Sequence, residues 1–67
     1  MHLKIEIDRE EDGRWIAEIP EVAGCMSYGQ SRDEAVAKVK ALAFRVLADR
    51  LEHGEPVPAG DELFSLA

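Results

Sequence analysis

The strongest local signal in the chain is Ser31-Arg32-Asp33-Glu34, a capping box in which Ser31 serves as N-cap and Glu34 reaches back from the third helical position. It starts a helix at Arg32. The helix is expected to run to Glu52, with Gly54 as a left-handed terminator and Pro56 and Pro58 preventing continuation. A helix over 32–52 uses 21 of the 67 residues and spans ~31 Å at about 1.5 Å per residue. Strands of five or six residues span only ~17–20 Å, so the helix should overhang any sheet the remaining chain can build.

The residues before the helix read as three short strands. From His2 to Asp8 the pattern alternates strictly, with Leu3, Ile5 and Ile7 on one side and His2, Lys4, Glu6 and Asp8 on the other, which is a half-buried strand. Arg9-Glu10-Glu11-Asp12-Gly13 is a polar turn whose Asp-Gly pair supplies the positive φ of a hairpin reversal. Arg14 to Ile19 forms the second strand, with Trp15, Ala17 and Ile19 on one face and Ile16 on the other, and Pro20 ends it. Residues 20–24 are a connection, Cys25 to Tyr28 the next extended stretch, and Gly29 closes it. Glu62 to Leu66 reads either as a fourth short strand or as an ordered tail. The expected class is α+β: a three-stranded antiparallel sheet, one long helix packed on one face, and an optional last strand, β-β-β-α-β, all in a single domain over 1–67.

At 100° per residue, Ala35, Val36, Val39, Leu42, Ala43, Val46 and Leu47 form one stripe of the helix, assigned to the sheet. Ala37, Ala41, Phe44 and Ala48 form a second patch, one aromatic among three small residues. Two readings of it stand: a homo-oligomer contact, or a seat for the C-terminal tail through Leu63 or Phe64. A chain this short buries only ~60% of its unfolded surface and usually leans on a disulfide, a metal or association. The single cysteine, Cys25, cannot close an intrachain disulfide, and His2 and His53 lie far apart without a ligand pattern. Association is the remaining staple.

The net charge is −6, and the acid is concentrated at the ends: residues 1–24 hold seven Asp/Glu against three Lys/Arg, and residues 53–67 hold three against none. Such a surface repels phosphate backbones and attracts basic proteins, although solubility alone also accounts for it. Direct nucleic-acid binding is not expected. There is no apolar run long enough to span a membrane and no signal core near Met1, and an unpaired thiol fits a reducing compartment, so a cytoplasmic setting is expected.

No arrangement of groups reads as catalytic. Cys25 reads as a small buried hydrophobe, Ser27 and Ser65 lack a nucleophile-elbow context, and the five glycines are too widely spaced for a phosphate loop. Trp15, alone in a strand, reads as core or interface. The carboxylates of the hairpin read as a solvated turn rather than a cation site. The chain is expected to be no enzyme and to hold no metal or cofactor. A metal-assisted nuclease using Asp8 and Glu18 is the weakest alternative.

The run from Asp12 to Ala35 resembles the HicB-like antitoxins of bacterial toxin–antitoxin systems. It shares an acidic-Gly turn at Asp12-Gly13, Trp15 followed two residues on by Ala17, the strand-closing Pro20, Gly24-Cys25, Gly29-Gln30-Ser31, and Glu34-Ala35 opening the helix. Gly54-Glu55-Pro56-Val57-Pro58 is similar to the family's exit from that helix. No single mark is specific; their order over about 45 residues is. The resemblance implies a truncated RNase H-like domain without nuclease activity that binds a small basic toxin, an mRNA-cleaving ribonuclease, and covers its active and RNA-binding surface. Many members continue into a DNA-binding domain, and no such segment is seen within these 67 residues. Electrostatic complementarity makes Glu10, Glu11, Asp12, Glu18 and Glu21 the expected contacts with the toxin. The competing reading is a solitary oligomer with a structural or regulatory role and no toxin.

Overall fold

The computed structural model describes residues 3–56 and 64–66. The expected alternation produces β1 over Leu3–Arg9, where Leu3 and Ile5 are fully buried while Lys4 and Glu6 face solvent. The hairpin that follows is a three-residue loop: Gly13 N–H donates to the Glu10 carbonyl at 3.0 Å, and Glu10 N–H donates to the Arg14 carbonyl at 2.7 Å. Gly13 alone adopts positive φ, at 92°, so the Asp-Gly pair acts through its glycine as a turn plus a left-handed residue. Asp12 closes the loop by accepting from the Arg14 backbone N–H at 3.0 Å and from Arg14 Nε at 2.7 Å.

β2 covers Trp15–Glu18 and β3 covers Met26–Gly29, both one residue offset from, or shorter than, the expected bounds. The segment between them does more than connect. Two successive turns, Val22 N–H to the Ile19 carbonyl and Cys25 N–H to the Val22 carbonyl, fold Val22 inward until it is 2% exposed. Val22 thus joins Ile19 and Cys25 in the core. The Cys25 thiol lies 3.7 Å from the Val39 carbonyl, and desolvation pushes its pKa up, in keeping with a packing role.

The helix, α1, spans Arg32–Glu52 as expected. Ser31 Oγ accepts from Glu34 N–H at 3.1 Å, while the Glu34 carboxylate accepts from Gln30 N–H at 3.0 Å, one residue before the cap. At the other end Gly54 takes φ 76°; its N–H donates to the Leu51 carbonyl, and Glu55 N–H donates to the Arg50 carbonyl. These two bonds form a Schellman motif that satisfies carbonyls left open by the last turn.

β4 is a short strand over Phe64–Leu66, parallel to β1, with Leu3 beside Phe64 and Ile5 beside Leu66. The other pairings are antiparallel, and the sheet order is β3-β2-β1-β4. One face carries Leu3, Ile5, Ala17 and Ile19 against Ala35, Val39, Ala43 and Leu47 of the helix. Val36, Leu42 and Val46, assigned to the same stripe, pack half-buried at its margins. Trp15 closes one end of the core under the Arg9 guanidinium, 5.4 Å from its ring centroid. The stripe ends at Leu47, the next core-facing position is Arg50, and the last turn of α1 overhangs the sheet as its length requires.

The helix begins where β3 ends, and Gly29 permits the approach. A Cβ there would stand 2.5 Å from the Ala35 backbone nitrogen and 3.0 Å from Ala35 Cα, so no side-chain rotation could relieve it. Gly29→Ala is therefore expected to destabilise the domain by about 1–3 kcal/mol through overpacking, read as a lowered urea midpoint with unchanged slope.

Glu34 supplies a pH dependence. The Gln30 N–H first, and Lys38 at 3.3 Å second, hold its carboxyl below the ordinary value of 4.5. A depressed folded pKa stabilises the fold fully above the unfolded value, and that contribution is lost as the pH falls through the folded one. Urea midpoints taken from neutral pH into the acid range should fall less steeply for Glu34→Gln than for the parent chain.

Candidate functional site

Because side chains alternate along a strand, packing α1 on one face of the sheet sends every second residue to the other. Two rows cross this open face. Glu6 of β1 stands opposite Glu18 of β2, which stands opposite Met26 of β3; Asp8 stands opposite Ile16, and Ile16 opposite Tyr28. Glu6, Asp8 and Glu18 are exposed, as are Met26 and Tyr28. Ile16 is half-buried, flanked by Asp8 of β1 and Tyr28 of β3. An open depression of about 310 Å³ runs across the rows, lined by Glu6, Ile7, Asp8, Glu10, Ile16 and Glu18.

Four of those six residues are acidic. Glu6 and Glu18 are direct cross-strand partners, an arrangement of like charges that weakens a sheet. At the hairpin end of the face Arg14 is committed locally: it pairs with Asp12, and its guanidinium carbon lies 4.5 Å from the Tyr28 ring centroid. The Arg14 backbone N–H first, and its guanidinium second, hold the Asp12 carboxyl below its ordinary range. The face therefore presents an apolar strip of Ile16, Met26 and Tyr28 bordered by carboxylates, with Lys4 exposed next to Glu6 along β1 and the hairpin cation turned onto its own loop.

The five residues expected to contact a partner are distributed unevenly. Glu10 and Glu18 line the depression. Glu11 and Asp12 sit on the hairpin loop at one end of the sheet, and Glu21 sits in the β2–β3 connection at the opposite end, exposed. Glu6 and Asp8 complete the cluster and were absent from the expected contacts. The signal for them was the alternation of β1, which places them on the side away from Leu3 and Ile5.

No three His, Cys, Asp or Glu side chains among the described residues come together to hold a metal ion. Cys25 is buried under α1, whereas His53 lies exposed at the helix C-terminus with Nδ1 2.7 Å from the Asp49 carbonyl oxygen. No described helix is long and apolar enough to cross a membrane.

Compared with known proteins, residues 3–67 match the family described as HicB-like antitoxins of bacterial toxin–antitoxin systems. The chain belongs to this family. A curated relative, a UPF0150 protein of Thermoplasma acidophilum, is 26% identical over 58 residues, covering 87% of this chain and 84% of the relative. No solved structure matches the chain significantly. Within this HicB-like domain the Glu6–Glu18 register predicts a repulsive pair. Glu18→Gln is expected to raise the urea midpoint by an amount equivalent to roughly 0.2–1 kcal/mol, with the opposite sign contradicting a repulsive pair.

Proposed function

We propose that this chain neutralises a small basic mRNA-cleaving toxin by laying the open face of its sheet over the toxin's active and RNA-binding surface. The observation that carries the reading is the composition of that face: Glu6, Asp8, Glu10 and Glu18 around Ile16, with Met26 and Tyr28 alongside. A ribonuclease must present cations where RNA phosphates bind. Carboxylates set on a rigid sheet can occupy those positions, and the exposed apolar strip supplies the desolvated centre that a specific interface needs. Inhibition of this kind is occlusion and asks no chemistry of the antitoxin.

Size supports a contact wider than the sheet alone. Four strands about 4.8 Å apart, of seven, four, four and three residues and so roughly 10–23 Å long, offer a few hundred Å² of plane, whereas a stable interface buries about 800 Å² on each partner. The acidic hairpin with Glu11 and Asp12 at one end, and Glu21 at the other, extend the surface in the same sign of charge. Their contribution is steering: rim charges raise the association rate and make it salt-dependent.

The test is capture of the tagged protein from its own cell lysate at low and high salt, followed by an RNA-cleavage assay on what is released. A small basic ribonuclease is expected, released more readily as salt rises and inhibited again by stoichiometric antitoxin. Reversal of the face in Glu6→Lys/Glu18→Lys should weaken inhibition at least about tenfold, the scale of losing one buried charged contact. Inhibition undiminished in that variant, or recovery of no ribonuclease, would overturn the reading.

A further inference from the structure

The side of α1 turned away from the sheet carries a second apolar stripe. Ala37, Ala41, Phe44, Ala48 and Leu51 recur at intervals of four, three, four and three residues, and all five are exposed. Phe44 is 56% exposed and Leu51 63%. Phe44 does meet the tail, edge-on to Phe64 with ring centroids 5.4 Å apart, yet more than half of it remains uncovered. Of the two tail residues expected beneath it, Leu63 lies outside the described residues. Leu66, 51% exposed, continues the apolar surface onto β4.

Four-three spacing is the seam of a coiled coil, in which each large residue inserts between four residues of a facing helix. The helix that fits here is a copy of this one. Phe44 is a knob, and Ala41 and Ala48, one turn to either side, are the small residues between which a facing Phe44 can sit; small residues also bring the axes toward the close end of the 8–10 Å range. The flank of the stripe decides the direction. Lys38, Arg45 and Glu52 follow one another at seven-residue intervals along its edge. In an antiparallel pair with its two-fold axis near Arg45, Lys38 of each copy lies beside Glu52 of the other, twice over, while the two Arg45 stems flank the axis and extend into solvent. A parallel pair would instead set Lys40 against Arg45 of the partner helix at both sides, a repulsion that offsets the Asp33–Lys38 attraction it gains one heptad earlier.

We infer that this chain forms a two-fold dimer through antiparallel packing of α1 on α1, with Phe44 and Leu51 as anchors and Lys38–Glu52 pairs fixing the register. The contact supplies the association that a core this small, with a single cysteine and so no intrachain disulfide, is expected to need. It lies across the molecule from the acidic sheet face and leaves both copies of that face outward, so that the dimer is bivalent. This inference stands independently of what the sheet face binds.

Sedimentation of the full chain over a concentration series up to about 100 µM should reach twice the 7.4 kDa monomer mass. Phe44→Glu should be monomeric with an unchanged circular dichroism spectrum. Leu51→Lys, at a position 63% exposed, is the second probe should the first variant unfold. Lys38→Glu and Glu52→Lys should each weaken dimerisation roughly fivefold to tenfold, since two pairs change from attraction to repulsion. Mixing these two variants in equal amounts should restore it, because each mixed dimer regains both opposite-charge pairs. A monomer at every concentration, a dimer that survives both anchor variants, or a mixture no tighter than its components would overturn the proposal.

Discussion

One helix can cover only one face of a four-stranded sheet, and the remaining features of this molecule follow from which face it covers. Gly29 permits that cover, because β3 runs into α1 so closely there that a single methyl would collide with the Ala35 backbone. That contact seats the first turn of the helix on the side of Leu3, Ile5, Ala17 and Ile19. Ser31 and Glu34 hold the turn in place by satisfying backbone N–H groups at its start. With the apolar side sealed, Glu6, Asp8, Ile16, Glu18, Met26 and Tyr28 have no internal partner layer and must meet solvent or another protein.

The open face is not tuned for the stability of the free chain. A designed sheet would place opposite charges across β1 and β2, or a threonine ladder, rather than Glu6 against Glu18. Nor would it leave Met26 and Tyr28 exposed on an edge strand of four residues. Both features become favourable once a cationic surface covers them. Binding would then return the electrostatic cost and bury the apolar strip, and the stability forgone in isolation appears as affinity. The outer stripe of α1 is the same kind of feature: the apolar residues at 37, 41, 44, 48 and 51 stand exposed outside the core, Phe44 meeting it only through the edge of Phe64.

The helix was legible from residues alone because its two ends carry chemistry that few other conformations can use: the Ser31–Glu34 box and Gly54 followed by prolines gave Arg32 and Glu52 as bounds, and the structure has the same bounds. The core stripe followed from helical periodicity, and the antiparallel run of the first three strands from the turns that join them. Val22 was illegible, since its burial comes from two consecutive turns in a segment with no repeating pattern. Whether Phe64–Leu66 pairs with anything could not be read either, because a three-residue strand is specified by the β1 edge it meets rather than by its own sequence. For the site, attention to runs of acid favoured the hairpin and Glu21. The structure groups carboxylates by register instead, bringing Glu6 and Asp8 from β1 beside Glu18.

A surface used for occlusion should register its partner residue by residue. The most direct measurement is amide chemical-shift mapping of the labelled protein on addition of the basic ribonuclease it is proposed to bind. Perturbation and protection are expected along alternate positions of the open rows, at Glu6, Asp8, Ile16, Glu18, Met26 and Tyr28, and to a lesser degree at the hairpin, with the exposed positions of α1 silent. Perturbation confined to α1, or to the hairpin tip without the strands, would contradict the central claim that the open sheet face is where this protein acts.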